Sequence, residues 1–126
     1  MPKQRTKRDR RSAERKGRWA EWLCCFSLWL RGYRILGTRL RLSGGEIDIL
    51  AVKGKALAVI EVKARPSLEA ALAAVSLPNW RRRHAAANQY LSGRSHLHSL
   101  GIRFDLMVVR RRRWPKHIKD VWRAEG

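Results

Sequence analysis

Apolar side chains recur along this chain with two different periods, and the change from one to the other divides it into elements. From about Ser12 to Leu30, the positions Trp19, Trp22, Leu23, Phe26 and Leu30 share one face at helical spacing. Ser12 and Glu14 stand near the start, where a cap and an acid are favoured. The spacing predicts a first helix that buries this aromatic face. Glu21, Cys25 and Leu28 fall on the opposite side, so the second half is apolar all round and is expected to be covered on both faces. Glu21 is then a carboxylate close to buried surface.

Gly32 ends the helix, and the period falls to two. Tyr33 to Leu42 reads as a strand, followed by the turn Ser43-Gly44-Gly45 and a second strand from about Glu46 to Val52. Lys53-Gly54 is the turn before a third strand from about Ala56 to Ala64, which Pro66 stops. Ser67 can cap a short helix carrying Leu68, Ala71, Leu72 and Val75; Pro78 interrupts, and a further helix carries Ala85 to Ala87, Tyr90 and Leu91. Gly93 to Gly101 reads as a loop, Ile102 to Val108 as a fourth strand and Ile118 to Trp122 as a short edge strand.

Composition adds a partner to this outline. The chain has 126 residues, 44% of them apolar and six of them Trp, enough to bury one core. Residues 1–12 are expected to be a disordered basic arm and residues 13–126 a single domain. With 29 Lys and Arg against 10 Asp and Glu, the net charge is +19, which is the electrostatic footprint of a polyanion binder. Nucleic acid is the leading partner, although charge alone does not separate DNA from RNA or from an acidic membrane surface.

The apolar run from Trp22 to Leu30 is less than half of the ~20 residues that span a bilayer. Arg31-Gly32-Tyr33 stands where a signal peptide would place small residues for cleavage, so no membrane association or export is expected. The only cysteines, Cys24 and Cys25, are adjacent, which suits neither a long-range disulfide nor a zinc site; buried thiols in a reducing cytoplasm are expected.

The candidate chemistry lies in the second and third strands. Residues two apart in a strand share a side, so Glu46 and Asp48 point one way, and Glu61 and Lys63 likewise. A hairpin centred on Lys53-Gly54 pairs Val52 with Lys55 and Glu46 with Glu61, which brings all four together with Asp48 diagonal to Glu61. Ile47, Ile49, Ile60 and Val62 then face the core. Three carboxylates at such range repel, and a divalent cation is the simplest remedy at neutral pH. Oxygen ligands suit Mg²⁺ or Mn²⁺. Such an ion can activate water and stabilise charge on a phosphodiester, with Lys63 orienting that water or neutralising the transition state. The same residues could also form a solvated hairpin face with one Glu to Lys pair.

Gly45-Glu46-Ile47-Asp48-Ile49 and Ile60-Glu61-Val62-Lys63 resemble the PD-(D/E)xK nuclease signature in the form found in the YraN family of small bacterial proteins, related to archaeal Holliday-junction resolvases. The resemblance runs from about Gly17 to Trp122 and takes in Ala20-Glu21, Gly32 to Leu36, Ala85 to Leu91 and Arg103-Phe104-Asp105. Asn79 and Trp80 depart from it, standing where the family tends to have Lys and Gln. It implies an α/β, restriction-endonuclease-like αβββαβ core, a central mixed sheet flanked by helices. It also implies that Asp48, Glu61 and the Val62 carbonyl hold the metal, that Lys63 is the catalytic lysine, and that Glu21 lies near the site. By analogy the substrate is DNA, branched or damaged, and the protein a homodimer.

Other signals are less specific. Arg81, Arg82 and Arg83 beside Trp80, and Arg110 and Arg111 in the run before Trp114, could hold phosphates while the rings stack on bases, or the rings could be core. His84, His96 and His98 have no spacing that suggests a metal. Asp105 is expected to pair with Arg103 as a brace. Two functions follow: a metal-dependent endonuclease in which Asp48, Glu61 and Lys63 act with Glu46 or Glu21 assisting from the rim, or a non-catalytic nucleic-acid binder that keeps the fold.

Overall fold

The computed structural model describes residues 7–123, with side chains from Gly17 onward except that of Leu77, and folds the alternating segments into one five-stranded sheet. The elements run α1 (Lys7–Leu30), β1 (Arg34–Leu42), β2 (Gly45–Lys53), β3 (Ala56–Ala64), α2 (Leu68–Ala73), α3 (Leu77–Ser92), a 3₁₀ turn (Ser95–Leu97), β4 (Gly101–Val109) and β5 (Lys116–Trp122). The strands lie in sequence order; β3 and β4 are parallel and every other pair is antiparallel. Parallel pairing needs a long crossover, and α2 and α3 supply it. This is the α/β architecture expected from the chain.

Local chemistry explains most boundaries. Gly54, at φ +58°, takes the first place of the two-residue turn between Lys53 and Ala56, as hairpin turns of the primed types require. Ser67 caps α2 by accepting the Ala70 N–H at 3.1 Å. Pro78 lies in the first turn of α3, where its missing N–H costs nothing, so the helix begins at Leu77 rather than after the proline. α1 begins at Lys7, ahead of the start expected near Ser12, because the Lys and Arg that make up most of that stretch are good helix formers. Residues 1–6 of the predicted arm lie outside the described residues.

Two core layers sandwich the sheet. On one face Ala20, Cys24 and Leu28 of α1 pack on Ile49, Ala51, Ala58, Ile60 and Met107. On the other, Trp80, Ala86 and Ala87 of α3 pack on Ile47, Leu50, Leu57, Val59 and Phe104.

The first layer reverses the expectation for α1. Its small residues face the sheet, while Trp19, Trp22, Phe26 and Leu30 are exposed, as is Trp29. Both stripes recur at helical period, so periodicity did not discriminate between them; the deciding factor is how closely a helix of Ala and Cys can approach a sheet. Cys24 and Cys25 are free thiols, and burial pushes the Cys24 thiol up to about 12. Among the described residues no helix is long and apolar enough to cross a membrane.

A polar brace ties the ends of four segments. Asp105 on β4 is fully buried and accepts two hydrogen bonds from Arg103, at 2.9 Å from Nε and 2.8 Å from Nη2. It also accepts the Asp120 N–H at 3.0 Å and pairs with His117 Nε2 at 2.7 Å. Arg103 donates on to the Tyr33 hydroxyl at 2.8 Å. Arg31 lies 2.8 Å from His117 Nδ1, and since a guanidinium only donates, Nδ1 is the acceptor and Nε2 carries the proton to Asp105. The bracing role expected of Asp105 is what the geometry provides.

Both edge strands are irregular. β1 has a register shift between Ile35 and Gly37 and a left-handed residue at Arg39, φ +50°. The β4–β5 ladder shifts between Phe104 and Leu106, and Asp120 on β5 has φ +57°.

Candidate functional site

The β2–β3 hairpin sets the site's geometry. Val52 faces Leu57 and Lys53 faces Ala56, two places further along β3 than the predicted pairing of Val52 with Lys55. An even shift keeps each paired side chain on its predicted side, so Asp48 and Glu61, next beyond the last pair, still come together, while Glu46 does not join them. The turn is Gly54-Lys55, because Gly is the residue that takes a positive φ without strain.

The ladder is paired as far as Ile49 and Ile60 and then opens. There Asp48 Oδ2 accepts the Val62 N–H at 2.9 Å, so a side chain replaces the missing backbone partner. The alternation of β2 also slips at this point. Ile47 belongs to the α3 layer and Ile49 to the α1 layer, so the expectation that Ile47, Ile49, Ile60 and Val62 share one face fails at Ile47.

Where the strands part lies a cleft of about 370 Å³, lined by Gly17, Ala20 and Glu21 of α1, Asp48 of β2, and Glu61, Val62, Lys63, Ala64 and Arg65. Five of the residues singled out from sequence thus share one cavity: Glu21, Asp48, Glu61, Val62 and Lys63. Glu46 is not among them; it is exposed beside the cleft and acts on Asp48 and Glu21 only through its charge.

Glu21, Glu61 and Lys63 of the cleft are each ion-paired. Glu61 is 2% exposed; Lys63 Nζ lies 3.0 Å from its Oε1, and the Arg83 guanidinium of α3 pairs with its Oε2. The expected crowding of three carboxylates is therefore eased in two ways: Glu46 stays outside the cleft, and two cations of the chain pair with Glu61. Among the described residues no three His, Cys, Asp or Glu side chains stand together closely enough to hold an ion alone. Burial raises the Asp48 carboxyl above its ordinary range, against the Val62 N–H and the charge of Arg83. Burial likewise raises Glu21, although Arg39 Nε donates to its Oε2 at 2.6 Å. Lys63 is lowered by burial and by Arg65, with Asp48 opposing.

Sequence reasoning missed two partners. Arg83 was expected to hold phosphate beside Arg81 and Arg82, but it turns inward to Glu61, donates to the Asn79 carbonyl at 3.0 Å and lies over the Trp80 ring, 5.6 Å from its centroid. Arg39 reaches Glu21 from a left-handed backbone position, which nothing in an arginine-rich strand announces. Arg81 and Arg82 are exposed on α3; Arg110 is half-buried and Arg111 exposed after β4. Trp80 is core, stacked on Trp122 at 6.5 Å, whereas Trp114 is exposed. A larger cavity of about 450 Å³, beside β5, is lined by His84, Phe104, Asp120 and Trp122 among others, but its one carboxylate is already paired with Arg123.

A mixed sheet with a helix packed on each face, and an acid–lysine cleft where its central hairpin opens, defines the class: an α/β protein with one concave polar site. The chain belongs to the uncharacterised protein family UPF0102, whose profile matches residues 20–109. That span holds every cleft residue except Gly17. The chain is 46% identical over 116 residues to a UPF0102 protein of Chelativorans sp. (strain BNC1), covering 92% of this chain and 94% of that one. A UPF0102 protein of Parvibaculum lavamentivorans is 45% identical over 113 residues, covering 89% and 84% respectively.

Proposed function

We propose that this protein is a metal-dependent endonuclease acting on DNA. The observation that carries the reading is the meeting of Asp48, Glu61 and Lys63 in one cleft, in a chain of charge +19. Two carboxylates without a third fit a hard ion that keeps several waters, such as Mg²⁺ or Mn²⁺, better than zinc. The raised Asp48 carboxyl is likewise a group that gains from a nearby cation. Asp48, Glu61 and the Val62 carbonyl would hold the ion, which supplies Lewis acidity and a water of lowered pKa.

The remaining work belongs to the chain. Lys63, partly buried and beside Glu61, orients the attacking water or neutralises charge on the phosphorane. Glu21, held by Arg39, closes the α1 side of the cleft. Exposed Arg81, Arg82 and Arg111, with half-buried Arg110, hold flanking phosphates. Arg83 must release Glu61 for an ion to enter. Arg83→Gln is therefore expected to tighten Mn²⁺ binding on the order of tenfold in titration calorimetry. Unchanged affinity would show that Arg83 does not compete.

The pairing of Glu61 by both Lys63 and Arg83 favours a second reading, a nucleic-acid binder without catalysis, because it leaves the carboxylate neutralised. Cleavage of labelled linear, single-stranded, flapped and four-way-junction DNA with Mg²⁺ or Mn²⁺, beside EDTA, separates the two. Metal-dependent cutting establishes the nuclease; tight binding without cutting of any substrate establishes the binder.

A further inference from the structure

The most exposed apolar surface of the molecule is the outer face of α1. Trp22 is 62% exposed, Trp29 65% and Trp114, from the β4–β5 connection, 54%. They are not scattered. Trp22 stacks on Phe26 at 5.8 Å and 5°, Phe26 on Trp29 at 6.4 Å and 26°, and Trp114 meets Phe26 edge-on at 6.2 Å. The result is one contiguous row of flat rings on a rigid helix, larger than the isolated apolar side chains that any surface shows.

Its border is cationic. Arg31 ends the row, and the exposed run from Arg111 to Arg113 adjoins Trp114. From Gly17 onward, where the side chains of α1 are described, its only acid is Glu21, which faces the cleft and is paired with Arg39. A second copy laid across this face would set these arginines against their own equivalents. A polyanion with flat apolar groups meets both features at once, rings against rings and phosphates against arginines.

We infer that the aromatic face of α1 and Trp114 is a docking surface for unpaired bases of single-stranded nucleic acid. Duplex bases are already stacked on one another and offer no free face, so the surface reads strandedness rather than sequence. The inference rests on the nucleic-acid partner proposed above but not on catalysis, and it gives the substrate class: nucleic acid with a single-stranded segment. It also lies on the side of α1 away from the sheet, so the cleft can be altered without touching it.

The test is a binding measurement in EDTA, which removes cleavage from the result. Fluorescence anisotropy with a labelled mixed-sequence single strand and its duplex would compare wild type with Trp22→Ala/Trp29→Ala, Trp22→Leu/Trp29→Leu, Trp22→Phe/Trp29→Phe and Trp114→Ala at fixed salt. Circular dichroism checks each fold. The Ala and Leu variants are expected to lose about tenfold or more in single-strand affinity, the Phe variant to keep most of it, and duplex affinity to stay within about threefold throughout.

Equal losses on both substrates, or none on either, overturn the inference. So does a Leu variant that binds like wild type, since an aliphatic surface then suffices. Light scattering showing a wild-type dimer that the Ala variant dissolves would assign the face to a second copy. Loss of binding to phosphatidylserine vesicles with single-strand affinity intact would assign it to a membrane.

Discussion

On the proposed nuclease reading, Asp48→Ala is expected to lower metal-dependent cleavage by about 10³-fold or more, because it would remove a ligand of an ion that contributes several kcal/mol to such a transition state. DNA affinity should stay level or rise, since a negative charge leaves the cleft proposed to receive phosphate. The substitution also strips the Val62 N–H of its acceptor, at a cost of about 1–3 kcal/mol in stability. Asp48→Asn separates the two effects: the amide oxygen still accepts from Val62 while the charge is gone. Single-turnover cleavage should collapse in both variants, whereas thermal stability should fall only in the alanine variant. Wild-type cleavage rates in either protein would sink the site assignment.

Asp105→Ala is expected to be the most damaging single change to the fold, with a loss of about 3–5 kcal/mol. The carboxylate is fully buried and accepts from Arg103, His117 and the Asp120 N–H, so its removal strands three donors at once. For a chain of this size that is a fall of about 10–20 °C in Tm by circular dichroism. Burial alone would raise this carboxyl, but the bonds from His117, Arg103 and Asp120 outweigh it and hold it below the ordinary range. A depressed folded-state value means that the stabilisation is complete above the unfolded-state carboxylate range and is lost as pH falls through the folded value. Wild type should therefore lose stability in acid more steeply than Asp105→Ala. A variant within about 1 kcal/mol of wild type at pH 7 would show that the brace is dispensable.

β1, β2 and β3 were legible because each is an apolar-rich run closed by a Ser, Gly or Pro turn, which leaves few competing explanations. The meeting of Asp48, Glu61 and Lys63 was legible because parity survives any even slip of the hairpin, and the slip that occurs is even. The opening of the ladder was not, since it depends on a side chain replacing a backbone acceptor at one residue. Nor was the placement of Arg83, which reaches Glu61 only because α3 lies across the sheet after a long crossover. For α1, hydrophobicity pointed to the tryptophans as core, and packing chose Ala20, Cys24 and Leu28 instead.

The irregular edge strands bear on how such a chain stays dispersed. A flat, uninterrupted outer ladder invites the sheet of another molecule to extend it, and transiently sticky aromatic surfaces would bring molecules close enough to try. Here β1 carries a bulge and a left-handed residue at Arg39, and β5 pairs irregularly and turns at Asp120. Neither edge presents a straight row of free N–H and C=O groups in register, so sheet-to-sheet growth is interrupted at both sides of the molecule.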